Sequence, residues 1–256
     1  MPDLTGTFAS TLAGLCTAVG ALGVFLVKRL STSAEDALLS CAAGIMLAAS
    51  FFSLIVPGIA YAEALGYARV PAVSTVIAGI LAGATAIWLI HRYTPHEHFV
   101  QGREGPSTAR LKQIWLFVIT ITLHNVPEGM AVGVGFAGGQ LENGVTLATG
   151  IGLQNIPEGL AVATALVAAG YGRFYSFTVA TLTGLVEGLG GLLGSLATWL
   201  AAPLMPGTLG FAAGAMLYII SDEIIPETHR RGYQTLATFS LLGGFVVMMF
   251  LDATLS

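Results

Sequence analysis

The chain has 256 residues, of which 55% are hydrophobic and only 9% are charged, with a mean hydropathy of +0.80. Because a soluble domain carries roughly 25% charged residues, this composition excludes an ordinary soluble protein and predicts an all-α polytopic protein in the lipid bilayer. The net charge of −4 comes without a basic cluster of the kind that binds nucleic acid. Cys16 and Cys41 lie in apolar stretches and provide no framework for disulfides or thiolate metal ligands.

Apolar runs separated by turn residues or charges predict eight transmembrane helices in one domain that covers residues 1–256. The first run lacks a basic segment before it, so we expect a retained span and not a signal peptide. The runs cover approximately residues 8–30, 35–60, 71–93, 113–137, 144–169, 174–200, 204–228 and 233–254.

Basic residues predict the orientation. If the spans alternate in direction, Arg69 lies on one side of the membrane and the other nine basic residues lie on the opposite side. The positive-inside rule then places the nine, and the loop at about 94–112, in the cytoplasm and both termini outside. The expected location is the plasma membrane, or the inner membrane of a bacterium. The nine are Lys28, Arg29, Arg92, Arg103, Arg110, Lys112, Arg173, Arg230 and Arg231.

An internal repeat relates the two ends of the chain. Residues 42–47 (Ala-Ala-Gly-Ile-Met-Leu) match residues 212–217 (Ala-Ala-Gly-Ala-Met-Leu). The same shift along the sequence aligns Gly14 with Gly184 and Gly20 with Gly190. Spans one to three therefore resemble spans six to eight, and because corresponding spans are five apart in order, the copies must run in opposite directions. The prediction is a 3+2+3 inverted repeat, a plan that often accompanies alternating access around a midplane site.

Spans four and five carry a duplicated polar motif, His-Asn-Val-Pro-Glu-Gly at 124–129 and Gln-Asn-Ile-Pro-Glu-Gly at 154–159. On a helix with 3.6 residues per turn, Glu128 lies about 40° from His124 and about 60° from Asn125. A carboxylate has about four acceptor sites, so Glu128 could serve one cation with His124 and a second with Asn125.

The same spacing relates Gln154 and Asn155 to Glu158, so two facing helices would supply two adjacent sites bridged by two glutamates. Pro127 and Pro157 should kink these helices and free carbonyl groups one turn back. Broken helices at mid-membrane depth are a recurrent feature of ion-binding transporters.

Glu187 lies in the middle of span six. On insertion scales each central acid costs about 2.5–3.5 kcal/mol, and no Lys or Arg falls within a span core to compensate it. Protons or metal cations must do so, which favours a functional site. Met46 alone would be typical of a core side chain. Some polar residues near the span ends could attract ions or simply face water. They are Asp222, Glu223, Glu227 and His229 at one end of span seven, and Ser53 and Asp252 on the outer side.

The loop at about 94–112 contains His96-Glu97-His98. Two histidines that flank a glutamate could hold a metal ion loosely, or they could belong to a solvated polar loop, because a short His-rich tract is only compositional evidence.

The two motifs, together with Glu187-Gly188 in span six, resemble the signature of the ZIP (Zrt/Irt-like) divalent metal transporters, in particular their prokaryotic GufA-like branch, and the likeness covers all eight spans. The resemblance implies a two-metal site between spans four, five and their neighbours, with Asp252 at the entrance and Glu223 at the exit. Gln154 and Asn155 replace the second His or the Asp of many relatives, which leaves fewer anionic ligands. The implied first site is His124, Glu128, Gln154, Glu158, Glu187 and Met46; the second is Asn125, Glu128, Asn155 and Glu158.

The expected function is transport of Zn²⁺ into the cytoplasm, with Cd²⁺, Fe²⁺ or Mn²⁺ as other substrates, and with no catalytic cofactor and no enzymatic activity. Imidazole, carboxylate and amide ligands suit such ions better than Mg²⁺ or Ca²⁺. A metal-dependent hydrolase stays open but is disfavoured, because His124 and Glu128 lack the His-Glu-x-x-His spacing. A proton or monovalent-cation carrier also stays open, as does a structural role for the motif. For assembly, the sequence leaves both the monomer and a homodimer open.

Overall fold

The computed structural model is helical apart from one short hairpin in the part that it describes. Four of the predicted cytoplasmic basic residues lie outside the described residues, namely Lys28, Arg29, Arg110 and Lys112. The described residues are 4–27, 30–93, 96–98, 102–104, 113–136, 141–168, 171–200 and 202–255.

The N-terminal third forms three long helical segments. The first is α1 (Thr5–Ala21), which continues as a 3₁₀ turn (Leu22–Phe25). The second begins after Ser31, whose hydroxyl accepts a hydrogen bond from the backbone N–H of Ala34 at 3.3 Å, as an N-cap does. It comprises α2 (Thr32–Ala49), a π-helical turn (Ser50–Ile55) and α3 (Val56–Ala64), and the third is α4 (Arg69–Tyr93).

A short antiparallel hairpin lies within the predicted loop. Strand β1 (His96–His98) pairs with β2 (Gly102–Glu104), and His96 lies opposite Glu104. The sequence analysis expected no regular structure here, because a three-residue polar strand is too short to show a hydrophobic alternation.

The remaining helices match the predicted spans four to eight. They are α5 (Gln113–Gly135), α6 (Leu141–Ala168), α7 (Arg173–Leu200), a 3₁₀ turn (Ala202–Leu204), α8 (Met205–Ile219), a π-helical turn (Ile220–Ile224), α9 (Ile225–Thr228) and α10 (Gln234–Leu255).

Six helical segments in the described ranges are long and apolar enough to cross a membrane. The other two long helices, α5 and α6, have 23 and 28 residues, and about 20 suffice for a bilayer. The six segments are Thr5–Phe25, Thr32–Ala64, Arg69–Ile90, Arg173–Leu200, Met205–Thr228 and Gln234–Leu255.

The helices leave α geometry at places that the sequence analysis did not predict. Pro127 and Pro157 lie inside α5 and α6, and both helices continue through them. The π-helical turns occur instead at Ser50–Ile55 and Ile220–Ile224, which occupy corresponding positions in the two copies of the internal repeat. Pro57 and Pro226 follow these turns at the start of α3 and α9. Because a proline lacks the N–H that an α-helical hydrogen bond needs, each of these prolines explains why the backbone hydrogen-bond pattern changes in the turn before it.

The helices pack in two groups. In one, α1 and α5 lie along α7, and α1 also lies along α6; in the other, α2 lies along α10 and α4 along α8. A buried apolar cluster joins the groups and includes Ala131 of α5, Leu147 of α6, Met46 of α2 and Met216 of α8.

Glycines allow close backbone contacts in the first group. A Cβ on Gly129 would overlap the carbonyl oxygen of Glu187, and a Cβ on Gly159 would overlap that of Thr17. The two glycines hold the same position in the two motifs, and Thr17 aligns with Glu187 at the shift that relates the two ends of the chain. The helices α5 and α6 therefore meet α7 and α1 through equivalent contacts.

Candidate metal site

The polar side chains of the two motifs and of span six are buried together in the first helix group. Glu187 and both Asn residues have no solvent exposure, and Glu158, the most exposed of the seven, is 7% exposed. The residues are His124, Asn125 and Glu128 of α5, Gln154, Asn155 and Glu158 of α6, and Glu187 of α7.

One direct contact joins the two motifs. The Nε2 atom of Gln154 donates a hydrogen bond to Oε1 of Glu128 at 2.5 Å. The facing arrangement of α5 and α6 expected from the helical spacing is therefore present between these two residues. The contact also provides a donor for a carboxylate oxygen that would otherwise be buried without one.

The two asparagines are held in equivalent ways. Asn125 donates from Nδ2 to the carbonyl oxygen of Thr183 at 2.8 Å, and Asn155 donates to that of Ala13 at 2.9 Å. Ala13 and Thr183 are aligned by the internal repeat, since each directly precedes one of the matched glycines, Gly14 and Gly184. Asn155 also donates to Oε1 of Glu187 at 2.6 Å. Because both amide nitrogens are engaged, both amide oxygens are available to accept.

Six buried oxygens in this cluster have no hydrogen-bond donor in the described structure. Each unpaired buried acceptor costs roughly 1–3 kcal/mol, and the acceptors belong to carboxylates and amides, which are metal-ligand groups. A group of acceptors without donors is suited to cations. The six atoms are Asn125 Oδ1, Glu128 Oε2, Gln154 Oε1, Asn155 Oδ1, Glu158 Oε1 and Glu187 Oε2.

No three His, Cys, Asp or Glu side chains converge as a ready metal-ligand set within the described ranges. Amide donors occupy some of the carboxylate oxygens: Gln154 donates to one oxygen of Glu128, and Asn155 donates to one oxygen of Glu187. For a metal to bind between Glu128 and Glu158 with Gln154 as a ligand, the Gln154 amide would have to turn so that its oxygen and not its nitrogen faces Glu128. The Asn155 amide oxygen has no donor among the described residues in its present orientation.

A second contact joins the cluster to the π-helical turn that follows α8. The Nε2 atom of His124 lies 3.0 Å from Oε2 of Glu223, which is in the π-helical turn after α8. This contact crosses from the first helix group to the second. Asp222 and His229 are half-buried nearby in sequence, and Nε2 of His229 lies 3.1 Å from the hydroxyl of Thr238.

The expected entrance residues also lie together. Ser53 donates from its hydroxyl to Oδ1 of Asp252 at 2.6 Å, and Asn143 of α6 donates to the carbonyl oxygen of Ser53 at 3.2 Å. The position of Ser53 in the π-helical turn after α2 corresponds to that of Glu223 in the turn after α8.

Two other predicted groups have a less direct relation to the cluster. Met46 is 2% exposed and belongs to the buried apolar cluster with Ala13, so its role as a ligand stays a prediction. His96 and His98 lie in strand β1, and their role stays a prediction too.

Sequence reasoning did not single out the carbonyls of Ala13 and Thr183 or the hydroxyl of Ser10, which donates to the carbonyl oxygen of Glu187 at 2.6 Å. Backbone carbonyls carry no sequence signal. The internal repeat could have paired Ala13 with Thr183, although nothing in the sequence connects either one to an asparagine.

Comparison with known proteins gives consistent results. The family model described as "ZIP Zinc transporter" matches residues 90–252. The chain is 44% identical over 250 residues to the zinc transporter GufA of Myxococcus xanthus, with 98% of each chain covered. It is 46% identical over 242 residues to the zinc transporter ZIPB of Bordetella bronchiseptica, covering 93% of this chain and 77% of that protein. It is 34% identical over 320 aligned residues to the zinc transporter ZIP11 of Homo sapiens, covering 93% of this chain and 94% of that protein.

Proposed function

The chain belongs to the ZIP zinc transporter family, and we propose that it moves zinc ions across a membrane into the cytoplasm. The observation that carries this proposal is the cluster of six buried acceptor oxygens without donors in α5, α6 and α7. The names of the three relatives support zinc as the transported substrate. The protein acts as a transporter and not as an enzyme.

The proposed site holds two metal ions bridged by Glu128 and Glu158. The first ion would be bound on the side of His124 and Gln154, with Glu187 and the thioether of Met46 as further ligands. The second would be bound between the amide oxygens of Asn125 and Asn155. Each asparagine nitrogen donates to a backbone carbonyl, and each amide oxygen has no donor in the part of the chain that the structure describes. These two free oxygens support the second position. The mixed nitrogen and oxygen donors suit Zn²⁺, and we extend the proposal to Cd²⁺, Fe²⁺ and Mn²⁺.

We propose that eight spans form a 3+2+3 inverted repeat with both termini outside the cell. The equivalent glycine contacts of α5 with α7 and of α6 with α1 support this symmetry, as do the two corresponding π-helical turns. Movement of the first helix group against the second would expose the site alternately to each side, which is how transporters built from inverted repeats commonly work.

The proposed path begins at Ser53 and Asp252, whose side chains are hydrogen-bonded. It continues through the two-metal site and leaves past Glu223, which contacts His124. Asp222, His229 and the histidines of strand β1, His96 and His98, would receive the ion on the cytoplasmic side. The plasma membrane, or the inner membrane of a bacterium, is the proposed location, and a homodimer the proposed assembly.

Zn²⁺ influx into proteoliposomes tests the proposal, with Cd²⁺ as a second substrate and Mg²⁺ as a negative control. Glu128→Ala removes the carboxylate common to both metal positions, so saturable Zn²⁺ influx should fall to the level of empty liposomes. Glu63→Gln is the matched control, because Glu63 is a more exposed carboxylate paired with Arg69. Its influx should equal that of the unmodified protein.

If folded, monodisperse protein in proteoliposomes shows no influx of any divalent metal, the transport proposal is contradicted. Near-normal influx by Glu128→Ala would instead contradict the assignment of the site.

A further inference from the structure

A cluster of ionisable side chains lies near Glu223, where α2, α9 and the turn before α10 meet. Arg231, in the turn between α9 and α10, places Nη1 3.0 Å from Oε2 of Glu35 and 3.5 Å from Oδ1 of Asp36, both in α2. Its Nη2 atom contacts Oε1 of Glu227 in α9. The four side chains are between 0% and 20% exposed.

The charges in this cluster do not balance. Three carboxylates face one guanidinium, so the formal charge is −2 when all four groups are ionised. A buried excess of charge is costly unless another ion compensates it. One divalent cation would bring the formal charge to zero.

Several oxygens in the cluster also lack hydrogen bonds within the described residues. Both carboxylate oxygens of the fully buried Asp36 are without a hydrogen bond, as is Oε2 of Glu227. The hydroxyl of Ser40, also fully buried and without a hydrogen bond, lies one helical turn after Asp36 and so on the same face of α2. These groups are oxygen ligands, the kind that hard and borderline divalent cations take.

We propose that Asp36, Ser40 and Glu227 form a divalent-cation site separate from the two-metal site, and that Arg231 is a tethered cation that competes for it. The guanidinium lies between the carboxylates of α2 and α9, so it must move aside when an ion binds. An all-oxygen set with a built-in competitor should bind weakly and release quickly.

The place of this site on the transport path rests on the proposed function, whereas its capacity to bind an ion does not. Glu227 follows Glu223 by four residues in the same helical segment, and Glu223 contacts His124. An ion that leaves His124 and Glu223 would therefore meet the carboxylates of Glu227 and Asp36 next, and the return of Arg231 would displace it.

Binding of Mn²⁺ to the purified full-length protein tests the proposal, with free Mn²⁺ measured by electron paramagnetic resonance. The parent protein for this experiment carries Glu128→Gln and Glu158→Gln, which disable the midplane site. Mn²⁺ binding at the midplane site therefore does not contribute to the measurement. This parent should retain one weak Mn²⁺ site. Asp36→Asn should weaken that site by at least about tenfold, because ligand charge sets the affinity of oxygen sites.

The arginine variants distinguish a cation site from a purely structural ion pair. Arg231→Gln removes the competitor and should tighten Mn²⁺ binding on the order of tenfold, by the same dependence on charge. Added Mn²⁺ should also raise its unfolding temperature. Arg231→Lys keeps a tethered positive charge and should bind like the parent. Arg69→Gln, at an exposed ion pair, is the control and should change nothing.

A structural network predicts the opposite result for Arg231→Gln, namely lower stability that Mn²⁺ does not restore. Unchanged or weaker Mn²⁺ binding by this variant would overturn the proposal. So would a parent that binds no Mn²⁺, or an Asp36→Asn variant that binds as tightly as the parent. The last comparison decides the question even if Arg231→Gln fails to fold.

Discussion

At the residue scale, Gln154 joins the two motifs through its side-chain amide. Its amide nitrogen donates to Glu128 at 2.5 Å, and its own Oε1 is one of the buried oxygens without a donor. A single amide can thus stabilise the Glu128 carboxylate through its nitrogen or a bound ion through its oxygen. A carboxylate at this position could do only the second.

We therefore predict that Gln154→Glu has opposite effects on the empty and the metal-bound protein. Without metal, loss of the donor to Glu128 should lower the free energy of unfolding by roughly 1–3 kcal/mol. With Zn²⁺, the extra anionic ligand should tighten binding on the order of tenfold. Thermal unfolding measured with and without Zn²⁺ checks both effects.

Gln234→Glu is the matched control, because Gln234 is exposed at the start of α10. It adds the same charge and should leave the Zn²⁺-induced rise in unfolding temperature unchanged. A rise no larger for Gln154→Glu than for the unmodified protein would mean that Gln154 is not a ligand.

Seven of the predicted ligand residues lie buried together, whereas Met46 belongs to the apolar cluster, and the sequence did not predict how the seven are held. An intramembrane acid without a basic partner is informative in itself, so Glu128, Glu158 and Glu187 could be singled out directly. The amide orientations could not be predicted, because Asn125 and Asn155 donate to backbone carbonyls of other helices. Such partners depend on packing and have no residue type.

At the scale of the helix, the glycines of the motifs set the distance between α5 and α7 and between α6 and α1. Gly129 lies against the backbone of Glu187, the residue whose carboxylate belongs to the buried polar cluster. Any side chain at position 129 would push α7 away and carry Glu187 with it. Packing and the position of this carboxylate are thus coupled through one contact.

Gly129→Ala should therefore destabilise the protein by about 1–3 kcal/mol, the usual cost of overpacking, and should lower Zn²⁺ affinity as well. Gly243→Ala in α10 is the control, since nothing lies within 4 Å of a Cβ built there. That change should be neutral or stabilising by up to about 1 kcal/mol, because alanine favours helices. Chemical unfolding and Zn²⁺ titration measure the two quantities. Equal stability of the two variants would contradict the close contact.

Helix positions were predictable, and helix irregularities were not. Each of the eight predicted apolar runs corresponds to a helical segment in the described part of the chain. Kinks were expected at Pro127 and Pro157, and the helical assignment of α5 and α6 continues through both residues. The two π-helical turns were not predicted. Pro57 and Pro226, at the start of α3 and α9, were the relevant signal.

At the scale of the whole molecule, the proposed inverted repeat makes a prediction about the side of the membrane on which two turns lie. The turns at Gly66 and Gly232 both have a positive φ, 91° and 92°, and they connect the second span to the third and the seventh to the eighth. In the proposed inverted repeat we expect these turns on opposite sides of the membrane, Gly66 outside and Gly232 in the cytoplasm.

Cysteine labelling at neighbouring positions tests this arrangement. Leu65 and Tyr233 are 43% and 44% exposed, so cysteines there should be equally reactive. In a background with Cys16→Ser and Cys41→Ser, a membrane-impermeant thiol reagent should label Leu65→Cys in intact cells and Tyr233→Cys only after permeabilisation. The reverse pattern would contradict the orientation, and labelling of both in intact cells would contradict the inverted repeat.

The backbone contacts at Gly129 and Gly159 have a mechanical consequence. Side chains between two helices can change rotamer and absorb a small shift, whereas a carbonyl oxygen against a Cα atom has no such freedom. The helices α1, α5, α6 and α7 should therefore move as one rigid body, so that a displacement of the ligand side chains' backbone moves the far ends of these helices by a similar distance. Distance probes on the outer ends of α1 and α7 should then report metal binding as sensitively as probes beside the site.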